Sequence, residues 1–478
     1  MEKYDLVIIG GGVGGLVSAS GAAQLGAKVA LVEKKSLGGD CLHYGCVPTK
    51  RFLYSAKAFN MVRKAGIFGL DGESLKVNFE KVVQGVRDVQ EKIGKHDDPE
   101  RFRKMGVNVI FASGKFIDSH TFEINGQKLY GRKFIIATGT RPAVLPISGL
   151  NEAGAINNIT ALELKKLPES IAILGAGHIG IEYAQIFNRL GSKVIVMEKM
   201  GQILPREDKE LSEGLHNILV REGAEIHTCT EVKGIKREGD KKSISAACSE
   251  GESLYAVDEI MAAIGRVPNT EGLNLESAAV NYNKMGIPVD KTMRTNIKHI
   301  YAIGDVTGGM AFTHVAEYQA GIAISNALFP FFKRKADYRV VPWVTYTDPE
   351  LARVGLTEDE AKEKYGNRDI RVFRFYFRDI DRAIIEGETE GLIKLICDKK
   401  NLILGAHILG PHAGELIHEY CLAMKANIPI TKISRTIHAY PTLSQSVKRA
   451  CDQYYREKLF KGVFPKITRW LINLQRNL

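Results

Sequence analysis

Near the start of the chain, Leu6-Val7-Ile8-Ile9 is an unbroken apolar run, the pattern of a parallel strand covered on both faces. It runs into Gly10-Gly11-Gly12-Val13-Gly14-Gly15, which holds G-x-G-x-x-G as Gly10, Gly12 and Gly15. The spacing predicts a helix from Leu16 to Leu25 and then a strand, Lys28 to Val32, ending at Glu33. The same order returns later. Ile171 to Leu174 leads into Gly175-Ala176-Gly177-His178-Ile179-Gly180, a helix carries Glu182 to Leu190, and the strand Lys193 to Met197 ends at Glu198. From first glycine to terminal acid the distance is 23 positions in both copies. Toward the C-terminus, Arg371 to Phe375 and Leu392 to Ile396 read as strands of a separate α+β unit. At the end, Ile467, Trp470, Leu471, Leu474 and Leu478 share one face of a helix opened by Pro465, with Lys466, Arg469 and Arg476 on other faces.

Two glycine turns of this kind imply two dinucleotides. Glycine lets the backbone approach a pyrophosphate at a helix N-terminus, and the acid accepts hydrogen bonds from a ribose 2′-hydroxyl. At the second site a carboxylate, Glu198, repels a 2′-phosphate, so NADH is preferred over NADPH, although Lys199 follows it directly.

Between the two sites lies Cys41-Leu42-His43-Tyr44-Gly45-Cys46-Val47-Pro48-Thr49-Lys50. Two cysteines five positions apart can meet across a turn and a half of helix if the first turn is distorted. A low thiol pKa needs positive potential, such as a helix N-terminus, and Pro48 suits the first turn of a helix through Lys50, Phe52 and Leu53. Zinc would want a second cysteine pair or matched histidines; there is none, and no resident metal is expected. The other five of the seven cysteines are scattered, which excludes a secreted disulfide framework. The net charge is +11, and residues 456–478 supply +5 of it, so general nucleic-acid binding is not expected. The opening residues enter a strand directly, with no leader pattern, so a cytoplasmic protein is expected.

Together these motifs closely resemble the class I pyridine-nucleotide disulfide oxidoreductases, the family of dihydrolipoamide dehydrogenase, glutathione reductase and mercuric reductase, over residues 1–455. Further segments carry the resemblance: Ala137-Thr138-Gly139-Thr140-Arg141-Pro142, Ala263-Ile264-Gly265-Arg266-Val267-Pro268-Asn269, Tyr301-Ala302-Ile303-Gly304-Asp305, and Val341 to Leu356. The resemblance implies a doubly dinucleotide-binding α/β fold. FAD would be held by Gly10, Gly12, Gly15, Glu33, Lys50, Thr138, Gly139, Gly304 and Asp305. NAD would be held by Gly175, Gly177, Gly180, Glu198, Gly265 and Arg266. It further implies that Cys46 faces the flavin, that Cys41 attacks substrate, and that Lys50 and Glu182 form an ion pair beside the flavin. The implied layout is an FAD domain over 1–147 and 272–338, an NAD domain over 148–271, and an interface domain over 339–455 that makes a homodimer. A basic tail, 456–478, extends past the resemblance.

One segment departs from that pattern. Where dithiol-processing members place a His-Pro-Thr acid/base with a nearby Glu, this chain reads His438-Ala439-Tyr440-Pro441-Thr442-Leu443-Ser444-Gln445. Free Tyr titrates near ~10 and free His near ~6.5, so Tyr440 is a poor base at neutral pH. Efficient turnover of dihydrolipoamide or glutathione is therefore not expected. His43 and His438 are the candidates to stand in, and His314 resembles a position that orients the cofactor. Tyr at this position, with Asp381-Arg382-Ala383-Ile384, resembles the mercuric reductases. Those end in a vicinal Cys-Cys, whereas no cysteine follows Cys451 here, so mercury itself is not the expected acceptor. The expectation is an NADH–FAD–dithiol oxidoreductase, with a metal-ion or quinone reductase, or an electron-transfer subunit of a larger complex, as alternatives. The basic amphipathic tail fits a membrane surface, at the inner membrane face, or a protein partner.

Overall fold

The computed structural model describes residues 2–71, 76–144, 146–248, 251–329, 331–461 and 464–476. The first apolar run forms the strand Glu2–Ile9, the centre of a seven-stranded sheet. Val29–Glu33 and then Val107–Phe111 lie parallel on one side of it, and Gln127–Ile136 lies parallel on the other. The register sets Leu6 opposite Val29 and Ile9 opposite Val32, so both strands stop together at the glycine turn and at Glu33. Beyond Gln127–Ile136 an antiparallel meander of Thr121–Ile124 and Gly114–Asp118 completes that edge. Ile300–Ala302 returns from far along the chain to pair with Gln127–Ile136. The helix that follows it, Thr313–Leu328, packs on the first helix, Val13–Gln24.

The second copy builds a parallel sheet in the order Glu225–His227, Lys193–Met197, Ser170–Leu174, Glu259–Ala262. Ile171, Ala172 and Ile173 are fully buried in it. A three-stranded antiparallel sheet, Glu231–Glu238, Lys241–Cys248 and Gly251–Val257, lies between its third and fourth strands in sequence. A short antiparallel pair, Thr140–Pro142 with Arg266–Pro268, ties the two dinucleotide folds together. The C-terminal unit is a five-stranded antiparallel sheet that includes Ile370–Tyr376 and Leu392–Asp398. The fold is thus α/β, with two Rossmann-like units followed by an α+β unit.

Both glycine turns start their helices earlier than apolar periodicity suggests. The helices begin at Val13 and His178, directly after extended Gly12 and Gly177, because the turn itself delivers the chain to the helix N-terminus. The cysteine segment differs more. Cys41 sits in the short helix Gly39–His43 and Cys46 opens a separate helix, Cys46–Arg63, so there is a break at Tyr44–Gly45 and not one distorted turn. Thr49, Phe52, Leu53 and Ala56 fall at i, i+3, i+4 and i+7 on the buried face of that helix. Phe52, Leu53 and Ala56 share a core with Ile181 and Ala184 of the helix His178–Leu190. Each large side chain so buried contributes about 1.5–3 kcal/mol. This packing sets Lys50, on the flank of one helix, against Glu182 on the other.

Candidate dithiol and dinucleotide sites

The two dinucleotide turns are built alike. Gly10 and Gly175 have φ of 108° and 96°, and a Cβ on Gly15 or Gly180 would lie 1.8 or 1.9 Å from the carbonyl oxygen of the first glycine. Above Gly12 a Cβ would meet nothing closer than 3.8 Å, and above Gly177 nothing within 4 Å, so the backbone is open to a phosphate there. The terminal acids are braced identically. Glu33 accepts from the N–H groups of Gly11 (2.7 Å) and Lys35 (2.8 Å), and Glu198 from those of Ala176 (2.7 Å) and Met200 (2.8 Å). An open backbone, a helix N-terminus and an acid at the next strand end fit a dinucleotide at each turn.

Opposite the first turn, Thr138 Oγ1 donates to the Asn269 carbonyl (2.7 Å) and Gly139 has a φ of 66° with open space beside it. Gly304 (φ 71°) donates its N–H to Gln319 Oε1, and Asp305 accepts from Thr140 Oγ1 at 3.0 Å. Burial pushes the Asp305 carboxyl up. Gly265, with a φ of 120°, also faces open space. The Arg266 side chain turns toward the first dinucleotide fold. Its Nε donates to Thr140 Oγ1 (2.8 Å) and its Nη2 lies 3.1 Å from Asp40 Oδ2, so it ties the NAD-side strand to the cysteine segment.

Cys41 and Cys46 carry free thiols within hydrogen-bonding reach of each other. The hydrogen bond donated by Cys41, with Lys50 and the Thr313 hydroxyl assisting, outweighs burial and lowers the Cys46 thiol from about 9 to about 6. The same hydrogen bond, reinforced by burial, drives the Cys41 thiol well above its ordinary range. The pair is thus biased toward a thiolate at Cys46, with Cys41 keeping the shared proton. Lys50 Nζ lies 2.8 and 3.0 Å from the two Glu182 oxygens and 4.7 Å from the Tyr346 ring centre. Burial lowers the Lys50 ammonium, but Glu182 and the Cys46 thiolate more than offset it and leave its pKa raised. Glu182 is buried and also accepts from the Tyr346 N–H at 2.9 Å. Thr313, 3.5 Å from Cys46 Sγ, and Tyr346 join this cluster from distant parts of the sequence.

The histidines are committed elsewhere. His43 Nε2 donates to the Leu37 carbonyl at 2.8 Å, and its ring lines an open cavity of about 470 Å³ with Lys35, Asp97 and Phe111, whose lining does not include Cys41. His438 is enclosed, with Nδ1 on the Thr436 carbonyl (3.0 Å) and Nε2 on Glu419 (3.2 Å). His314 Nε2 donates to the Pro342 carbonyl (2.8 Å). Tyr440 is 68% exposed on the C-terminal unit, beside Asp381, whose carboxylate pushes its phenol up.

Cys41→Ala removes the strongest influence holding Cys46 low. In the reduced protein, the pH midpoint of Cys46 alkylation should rise from about 6 toward 9. A midpoint left near 6 would assign the thiolate to Lys50 alone.

Two dinucleotide turns joined to a thiol–thiolate pair with a fixed cation define a dithiol oxidoreductase. Residues 4–320 match the pyridine nucleotide-disulphide oxidoreductase family, and residues 341–451 match its dimerisation domain. The chain is 37% identical to the dihydrolipoyl dehydrogenase of Bacillus subtilis, across 94% of this chain and 97% of that one. It is 34% identical to the mercuric reductase of Lysinibacillus sphaericus, across 94% and 82%. Among solved structures it is similar to the HOCl-induced flavoprotein disulfide reductase RclA from Escherichia coli, with a TM-score of 0.84, 30% identity, and coverage of 94% and 99%. A Cu(II) complex of RclA superposes with the same TM-score over 93% of this chain and 98% of that one. The chain belongs to the pyridine nucleotide-disulphide oxidoreductase family and is an NAD(P)H-dependent FAD disulfide oxidoreductase.

Proposed function

We propose that this enzyme carries electrons from NADH to the Cys41–Cys46 pair and on to an acceptor that two thiolates can hold without a proton shuttle. The observation that carries the reading is the pairing of an intact thiolate site with Tyr440 in place of a base. Bound FAD supplies the hydride-accepting ring between nicotinamide and disulfide. Gly10, Gly12, Gly15, Glu33, Thr138, Gly139, Gly304 and Asp305 would hold it, with Lys50 as the cation beside it. Gly175, Gly177, Gly180, Glu198 and Gly265 would hold NAD. Arg266, occupied with Thr140 and Asp40, would position the cysteine segment against that site. Lys199 pairs with Glu231 at 2.8 Å and so is not turned to a 2′-phosphate, which supports NADH.

Cys46 keeps its charge through the Cys41 hydrogen bond and Lys50, and Cys41 is the thiol that meets the acceptor. A disulfide acceptor leaves as a thiolate that must be protonated, and for this a raised tyrosine phenol is poorly matched. A metal ion held by two thiolates has no leaving group to protonate, and its own charge drives the Cys41 proton off to solvent as it binds. The mercuric reductase relatives and the Cu(II) complex of RclA fit this class, and it is Tyr440, not overall identity to the dihydrolipoyl dehydrogenases, that speaks against lipoyl substrates. The active unit is a homodimer, in which Tyr440 of one protomer approaches Cys41 of its partner.

NADH oxidation measured with Cu(II), Hg(II), lipoamide, glutathione disulfide and quinones tests the reading. Cu(II) should give the fastest Cys41-dependent turnover, and Cys41→Ser should abolish it. Lipoamide turnover exceeding that with every metal ion would overturn it.

A further inference from the structure

The dimerisation-domain match ends at residue 451, yet the chain continues in helix to Phe460 and then in a second helix, Phe464–Arg476. None of that last helix is buried. At 100° per residue, Phe464, Ile467, Trp470, Leu471 and Leu474 share one arc, Arg469 and Arg476 lie opposite it with Ile472 beside them, and Lys466 flanks its Trp470 edge. Ile467 and Leu474, at the centre of the apolar arc, are 48% and 42% exposed and Trp470 at its edge 63%, so the arc is left open among the described residues. Arg456, Lys458 and Lys461 extend the positive charge back along the preceding helix, and among the described residues none of these six cations has an ion-pair partner.

A second element repeats the character. Phe331 and Phe332, 91% and 74% exposed, stand directly before Lys333, Arg334 and Lys335. That loop is held in place, since Asn326 bonds both the N–H and the carbonyl of Arg334 at 2.8 Å. Exposed aromatics with unpaired cations, in two parts of the chain far apart in sequence, match the boundary between lipid headgroups and acyl chains. There apolar side chains sink below the headgroups while Lys and Arg meet anionic lipid. A protein groove would cover the apolar arc but would not call for free cations on both elements. No helix among the described residues is long and apolar enough to cross a membrane.

We propose that the helix Phe464–Arg476, with the basic residues leading into it, seats the enzyme on an anionic phospholipid surface. The inference is independent of the identity of the electron acceptor. The test uses the full-length holoenzyme, co-sedimented with vesicles of phosphatidylcholine alone and of phosphatidylcholine with phosphatidylglycerol, at low and high salt. The protein should sediment with the anionic vesicles and be released by salt. Each basic residue near such a surface is worth roughly a fivefold change in partitioning. The triple variant Lys466→Glu, Arg469→Glu, Arg476→Glu should therefore bind at least ~100-fold more weakly, with NADH-dependent activity toward a soluble acceptor unchanged. A chain ending at Phe460 should lose binding and keep its oligomeric state in light scattering. Full-length protein that ignores anionic vesicles, or a triple variant that binds as well as the parent, would overturn the proposal. Dissociation of the truncated chain into monomers would overturn it too, by assigning the helix to a second copy.

Discussion

Tyr440→His combined with Gln445→Glu should raise NAD reduction by dihydrolipoamide by about 100-fold, the lower end of what a positioned acid/base contributes. That gain corresponds to about 2.7 kcal/mol in the barrier. The parent protein offers at this position only a phenol, which the neighbouring Asp381 carboxylate moves further from neutral pH. Neither histidine nearby in sequence relieves the shortage, because His438 is tied to Thr436 and Glu419 and His43 to Leu37. The measurement is steady-state NADH formation, with Tyr440→Phe as the control. If the double variant gains nothing, Tyr440 does not stand at the interchange thiol in the assembled enzyme.

Lys50→Met should be the most destabilising single change at the dithiol site. Glu182, 1% exposed, would keep only the Tyr346 N–H as a partner. Breaking a buried ion pair costs about 3–5 kcal/mol, and the lower end applies because the Lys50 side chain is one-third exposed. The Cys46 thiolate would lose its nearest cation, so its pKa should rise above about 6 and activity at neutral pH should fall. Well below pH 6 parent and variant should converge, since Cys46 is then protonated in both. The double change Lys50→Met, Glu182→Leu should recover much of the stability in denaturant unfolding while leaving turnover low. Full activity in Lys50→Met would remove Lys50 from the chemistry.

The parts of this molecule legible in its sequence are those where one short segment sets its own geometry. Glycine turns, continuous apolar strands and a terminal acid declare themselves locally, and their repetition at equal spacing made the two dinucleotide folds readable. So did the apolar-rich strands of the C-terminal unit. Contacts made across the fold were not readable in this way. Thr313 reaches Cys46 over 267 positions, and no pattern around Phe312-Thr313-His314 signals that contact. Tyr346 enters through its main-chain N–H, which every residue except proline has. Arg266 sits in a dinucleotide motif, but its side chain answers to Thr140 and Asp40, partners set by how the two folds pack. The break between the two cysteine helices was also hidden, because Gly45 holds a non-helical backbone that Tyr44 and Cys46 on their own would not require.

The bracing of Glu33 and Glu198 bears on any attempt to re-engineer nucleotide preference. Exchanging Glu198 for a small or basic residue, the obvious route to accepting a 2′-phosphate, would also strip the acceptor from two main-chain N–H groups. One of them, that of Ala176, belongs to the glycine turn proposed to hold the pyrophosphate, so on that reading selectivity and grip would run through the same carboxylate. A successful redesign would need to leave an oxygen at that spot and introduce its cation from elsewhere, and Lys199, freed from Glu231, is the nearest source.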